Sequence, residues 1–262
     1  MNTLAQTFET LADKNERALV CFVTAGDPDL NQLPDILRTL AEAGCDVIEV
    51  GIPFSDPIAD GPTIQASSQR ALDRGVTPQA VLDTLRPIAQ DLPPIVLMTY
   101  TNIAMRPGFV EFAKQAREAG ASGVILSDMI PEEAGEWIRA ARDEALDTIF
   151  LVAPTSTERR VQLASEASTG FVYCVSRTGV TGAGNEVPAD VVQTVARVKT
   201  YCTLPVCVGF GISTPDHVRM VSSVAEGAVV GSALVDLLAG GWPENASRVR
   251  EFVSALKQAT RS

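Results

Sequence analysis

Eight short apolar, β-branched runs recur along the 262-residue chain, each followed by a segment of helical periodicity. They are ALVCFVTAG (18–26), DVIEVGIPF (46–54), PIVLMTY (94–100), GVILSD (123–128), DTIFLVAP (147–154), GFVYCVS (170–176), PVCVGFG (205–211) and GAVVGSAL (227–234). Near-continuous hydrophobicity fits parallel strands covered on both faces. Between them, LPDILRTLAEAG, VEFAKQAREAG, PEEAGEWIRAARDEA and VVQTVARVKT each show one apolar stripe and one wet face. Strand then helix, eight times in this length, predicts an α/β fold of the (β/α)8 TIM-barrel type. The barrel is expected to form a single domain over residues 1–262, with an extra amphipathic helix in MNTLAQTFETLADKNER. A doubly wound open sheet is the alternative. Against it, no GxGxxG follows the first run and no linker marks a second domain.

Charge narrows the partners. Twenty-one Lys+Arg against thirty-two Asp+Glu give −11, with no basic patch, so neither nucleic acid nor a membrane surface is expected. No apolar stretch approaches the ~20 residues of a membrane-spanning helix, and the N-terminus lacks the basic-then-apolar pattern of a signal peptide. The five cysteines are odd in number and show no CxxC spacing. They read as buried thiols of a cytoplasmic protein, with no metal site.

Chemistry follows by exclusion. The four lysines (Lys14, Lys114, Lys199, Lys257) all fall outside the strand-like runs, which argues against a Schiff base. The single histidine, His217, reads as a surface helix residue, too little for a zinc site or a Ser-His-Asp triad. Carboxylate acid–base chemistry remains. In DVIEV, strand alternation turns Ile48 and Val50 toward the helices and Val47, Glu49 and Gly51 toward the barrel interior. Burial there should raise the Glu49 pKa and leave a proton available near neutrality. The structural alternative is a glutamate satisfied by backbone or by a tyrosine. Asp56 (SDP) and Asp60 (ADGP) fit either turn formation or chemistry. Glycine segments at 176–185, 209–214 and 231–234 follow late strands, where backbone N–H groups commonly hold a phosphate. The first of them also has the composition of a mobile lid.

FVTAGDP (22–28), DVIEVGIPFSDPIADGPTIQ (46–65), APTST (153–157), SRTGVTG (176–182) and GFGIS (209–213) closely resemble the tryptophan synthase α-subunit family, in order and over nearly the whole chain. The resemblance implies a lyase that cleaves indole-3-glycerol phosphate by a retro-aldol reaction to indole and glyceraldehyde 3-phosphate. By motif it makes Glu49 the acid–base group, Asp60 the second essential carboxylate and Tyr173 its active-site neighbour. Phe22, Met98, Ile125, Leu151 and Phe210 match the indole pocket, and Thr181 and Arg177 lie in the segment resembling the closing loop (177–188). Gly182, Gly211, Gly231 and Ser232 match the phosphate site. Ser127 departs from the proline common before Asp128 in this family. The resemblance also implies no cofactor in this chain and a β subunit that carries pyridoxal phosphate in an α2β2 heterotetramer. That partner would face loop 53–60 and TNIAMRPG (101–108), with Ile58, Ile103 and Met105 as apolar contacts. Competing readings are a sugar-phosphate isomerase, which leaves Glu49 and Asp60 unexplained, and a catalytically silent subunit, which needs neither.

Overall fold

The computed structural model describes residues 3–175, 189–209 and 211–261. Their strands are β1 (Ala18–Thr24), β2 (Val47–Gly51), β3 (Ile95–Thr99), β4 (Ala121–Leu126), β5 (Asp147–Ile149), β6 (Leu151–Val152), β7 (Val172–Val175), β8 (Val206–Gly209) and β9 (Gly227–Val230). All pair in parallel, in the order β5-β4-β3-β2-β1-β9-β8-β7-β6. The two ends of that order are separated in the chain only by Phe150, whose N–H donates to Ser168 Oγ (3.1 Å) and whose carbonyl accepts from Tyr173 N (3.1 Å). Residues 147–152 are therefore one strand position that pairs with β4 by its first half and with β7 by its second. The sheet closes into the expected eight-position barrel, and the open-sheet alternative falls away.

Alternation sorts the side chains as the pattern predicts. Ile48 and Val50 lie in the outer core between strands and helices, together with Leu19, Cys21, Leu97 and Val124. Val47, Val20, Val96, Ile125, Ile149 and Val229 form a separate inner cluster. The N-terminal helix α1 (Leu4–Asp13) begins with a reciprocal cap in which Gln6 N donates to Thr3 Oγ1 (3.2 Å) and Thr3 N to Gln6 Oε1 (3.0 Å). Its Leu4, Phe8 and Leu11 join the inner cluster, with Phe8 against Phe171 at 6.0 Å between ring centres. This helix plugs the N-terminal end of the barrel and leaves the C-terminal end for a site.

The helices that follow the strands are α2 (Leu33–Glu42), α3 (Pro62–Asp73), α4 (Pro78–Leu85), α5 (Thr101–Met105), α6 (Phe109–Glu118), α7 (Gly135–Asp143), α8 (Glu158–Ala167), α9 (Ala189–Tyr201), α10 (Pro215–Ser222), α11 (Ser232–Ala239) and α12 (Ala246–Gln258). The second βα unit is elaborated by two helices, α3 and α4, as its length suggests. Short α5 is held by Asp128, whose Oδ1 accepts from Thr101 N (2.7 Å) and Oγ1 (2.8 Å). No helix among the described residues is long and apolar enough to cross a membrane.

On the plugged face, Lys257 of α12 reaches Asp46 at 2.9 Å and Glu16 at 3.0 Å. Asp46 Oδ2 also accepts Leu19 N (2.8 Å), which ties the last helix to the first two strands.

Candidate active site

β2 sets Glu49 in the barrel interior between its register neighbours Phe22 on β1 and Val96 on β3. The side chain is 1% exposed, and Oε2 has no hydrogen-bond partner among the described residues. No cation is in register beside it to offset burial. Desolvation, reinforced by the charge of Asp60, pushes its pKa up to about 8. At neutral pH Glu49 therefore holds its proton in a nearly dry position. Among the described residues neither backbone nor tyrosine satisfies Oε2.

Asp60 arrives from the opposite direction, on the loop between β2 and α3. That loop folds on itself, with Ile58 N bonded to Asp56 O (2.8 Å) and Asp60 N to Pro57 O (3.0 Å). Gln65 of α3 donates to Asp60 O (2.9 Å), and the Tyr100 hydroxyl accepts from Ala59 N (3.0 Å). Phe54 stacks on Tyr100 at 5.0 Å between ring centres. The Tyr100 hydroxyl also bonds the Asp60 carboxylate, which lowers its pKa, but desolvation outweighs this and raises it to about 6. Asp60 is thus ionised at neutrality while Glu49 is not. Asp56 instead accepts from Ser55 Oγ (2.6 Å) in the exposed turn.

Glu49 and Asp60 share a cavity of about 320 Å³ at the C-terminal end of the barrel. Tyr173 lines it too, and its hydroxyl lies over the α-carbon of Gly209, where any Cβ would overlap it. Burial raises the Tyr173 pKa well above its usual value, so it stays a neutral donor. Phe22, Met98 and Leu151 give the cavity apolar wall. Gly211, in the left-handed region at φ 76°, and Gly231 and Ser232 also line it, with Gly231 beside the Phe22 ring. Gly231 is the N-cap of α11 and supplies no side-chain cap, so the first N–H groups of that helix are available to an anion.

The structure brings these nine anticipated residues around one cavity. Ile125 lies elsewhere: it is the register partner of Met98, fully buried in the inner cluster and not on the cavity wall. Thr181, Gly182, Phe210, Arg177 and the 177–188 segment are outside the described residues.

Several wall residues escape the sequence reading. Val175 and Val229 point inward by the same alternation that placed Glu49, so strand parity could have found them. Ile64, Ser213 and Asp236 come from loops and helix starts and leave no periodic signal.

His217 differs from its reading as a surface residue. It is half-buried on α10, and its Nδ1 accepts from Ser213 N (3.3 Å) of the cavity wall. All five cysteines are free, and only Cys202 is partly exposed. Among the described residues no group of three His, Cys, Asp or Glu is placed to hold a metal. At the rim, Ile58 is 83% and Met105 56% exposed, joined by Val110 at 71%. Ile103 is half-buried against the outer core, because α5 turns it inward.

Residues 8–261 match the family model described as tryptophan synthase alpha chain. The tryptophan synthase alpha chain of Geobacter sulfurreducens is 48% identical over 261 residues, covering 99% of each chain. That of Burkholderia lata is 44% identical over 99% of this chain and 97% of its own. The structure of Mycobacterium tuberculosis tryptophan synthase superposes with a TM-score of 0.91 at 38% identity, covering 99% and 98%. Tryptophan synthase subunit alpha from Legionella pneumophila does so at 0.90 and 33%, also covering 99% and 98%.

Proposed function

The chain belongs to the tryptophan synthase alpha chain family of tryptophan-biosynthetic enzymes, and we propose how its own residues cleave indole-3-glycerol phosphate. One observation carries the reading. A proton-bearing carboxyl and an ionised one share a single cavity that is also lined by apolar side chains and by a helix start without a side-chain cap.

The indole ring lies against Phe22, Met98 and Leu151, with its N–H directed at Asp60. The phosphate sits on Gly211, Gly231 and Ser232, where neutral donors suit a chain of net charge −11. Glu49 gives its proton to ring carbon 3, and Asp60 stabilises the positive charge that develops on the ring nitrogen. The resulting Glu49 carboxylate then takes the proton of the adjacent side-chain hydroxyl. The carbon–carbon bond breaks, its electron pair returns to the ring, and indole and the aldehyde of glyceraldehyde 3-phosphate leave. Glu49 ends as it began, so the cycle consumes no proton. Tyr173 donates toward Glu49 when Glu49 is charged. No step calls on a metal or an organic cofactor in this chain.

The partner is a β subunit in an α2β2 assembly, with pyridoxal phosphate held on that side. Ile58, on the loop that carries Asp60, and Met105 and Val110 are exposed apolar side chains that would give it contact area. The whole of 1–262 acts as one domain in the cytoplasm.

The test is indole formation from indole-3-glycerol phosphate by the chain alone and with a β subunit added. Indole release that Glu49→Gln abolishes is expected. No indole in either condition, or turnover that survives the substitution, overturns the reading.

A further inference from the structure

Ser127 is the first residue beyond β4, and its N–H is fixed by Thr99 O at 2.8 Å. Its Oγ is buried with no hydrogen-bond partner among the described residues. Native chains rarely leave such a hydroxyl unpaired, because its desolvation is then offset by nothing. The residue lines a second, very small cavity of about 10 Å³, room for a single water-sized group. Phe22, Met98 and Asp60 wall both this notch and the main cavity, so the notch opens beside the apolar wall where the ring is placed.

Two of the neighbouring hydroxyls there are already engaged. The Tyr100 hydroxyl serves Ala59 N and Asp60, and Thr99 Oγ1 donates to Ile52 O at 3.5 Å. Ser127 brings both a donor and an acceptor without a partner among the described residues, and Ser68 of α3 also lines the notch. If Asp60 takes the ring N–H, as the mechanism above has it, the neighbouring edge of the benzo ring, carbon 7 above all, faces this notch.

We propose that Ser127 is a specificity-determining residue, whose hydroxyl recognises one hydroxyl- or amino-sized polar group on the ring edge beside the ring nitrogen. The chain then accepts ring-hydroxylated or ring-aminated indole-3-glycerol phosphates as well as the parent compound. An apolar side chain at this position would leave the added polar group buried and unpaired, and so would discriminate against it.

The experiment compares kcat/KM for indole-3-glycerol phosphate and for its 7-hydroxy analogue in the wild-type chain and in Ser127→Ala. Calorimetric binding of indole and 7-hydroxyindole to the same two proteins gives a readout independent of turnover. The wild type is expected to process the analogue within about tenfold of the parent. In Ser127→Ala the analogue-to-parent ratio should fall by about tenfold or more, in both turnover and binding. A ratio that Ser127→Ala leaves within about twofold, as when the notch only holds a water, overturns the inference, as does exclusion of the analogue by the wild type. Failure of the wild type to cleave the parent compound counts against the lyase mechanism instead, while the binding ratio still decides the role of Ser127.

Discussion

Glu49→Gln exchanges a carboxyl that titrates inside the barrel for an amide of similar shape that does not. In the unfolded chain the carboxyl titrates near its ordinary 4.5, and in the folded chain near 8. Between those values the folded state holds a proton that the unfolded state has released, so wild-type stability falls as pH rises. The slope is about 1.4 kcal/mol per pH unit, which amounts to roughly 3 kcal/mol at pH 7 and about 5 kcal/mol above pH 8. Glutamine removes that slope. It also buries two amide donors in place of the carboxyl's one, where Oε2 already lacks a partner among the described residues, so a constant loss of about 1–3 kcal/mol is superimposed. The two effects separate because only one of them depends on pH. Urea unfolding of both proteins at half-unit steps from pH 5 to 9 measures them. The stability difference should move in favour of the variant across pH 5–8 and level off beyond it. Parallel stability curves would show that Glu49 does not retain its proton in the folded barrel, and the account of its chemistry would fail with them.

The same pair of carboxyls sets the expected pH–rate profile: kcat/KM should rise through about pH 6 as Asp60 ionises and fall beyond about pH 8 as Glu49 loses its proton. Asp60→Asn should abolish the acid limb and lower kcat/KM by about 10²–10³, since it removes the charge facing the ring nitrogen; a retained acid limb would assign it to another group. Tyr100→Phe deletes the hydroxyl that holds Ala59 N and lowers the Asp60 pKa, so steady-state kinetics should show the acid limb move upward and kcat/KM at pH 7 fall by about 10–100-fold. Ile58→Asp and Met105→Asp should each weaken β-subunit binding by about 1–3 kcal/mol in calorimetry while the chain alone keeps its melting temperature; unchanged affinity would move the interface elsewhere. Lys257→Met strands Asp46 and Glu16 on the plugged face and should cost about 2–4 kcal/mol in urea unfolding, with kcat/KM unaffected.

Much of this was legible because a barrel repeats one rule. Strand alternation in DVIEV placed Ile48 and Val50 outside and Glu49 inside without any knowledge of the fold's closure. Ile125, which the resemblance matched to the indole pocket, points inward but does not line the cavity: an inward side chain need not reach the site. Even its register partner Met98 lines the cavity while Ile125 does not, a difference no single strand encodes. The split of the fifth strand at Phe150 was equally hidden, since it arises from a hydroxyl eighteen residues away. Asp60 and Asp56 could not be separated by composition, because both precede turn-forming residues. Tyr100, forty residues on in sequence, makes the distinction by holding the neighbour of one and leaving the other exposed.

The two ends of the barrel divide the work of holding the fold from the work of chemistry. At the N-terminal end, α1 fills the interior with Leu4, Phe8 and Leu11, and a nearly buried lysine is matched by two carboxylates. At the other end the interior breaks the rules that stabilise the first. Glu49 is buried without a cation, Ser127 keeps an unpaired hydroxyl, and α11 begins without a side-chain cap. Each of these costs stability in the ligand-free chain, and each is a group a substrate could satisfy: a proton acceptor for Glu49, a polar ring substituent for Ser127, a phosphate for the helix start. Costs placed around the main cavity and its adjoining notch are what differential binding of a reacting molecule requires. The substitutions that stabilise this protein most readily should therefore lie in that cavity, and they should be the ones that impair turnover.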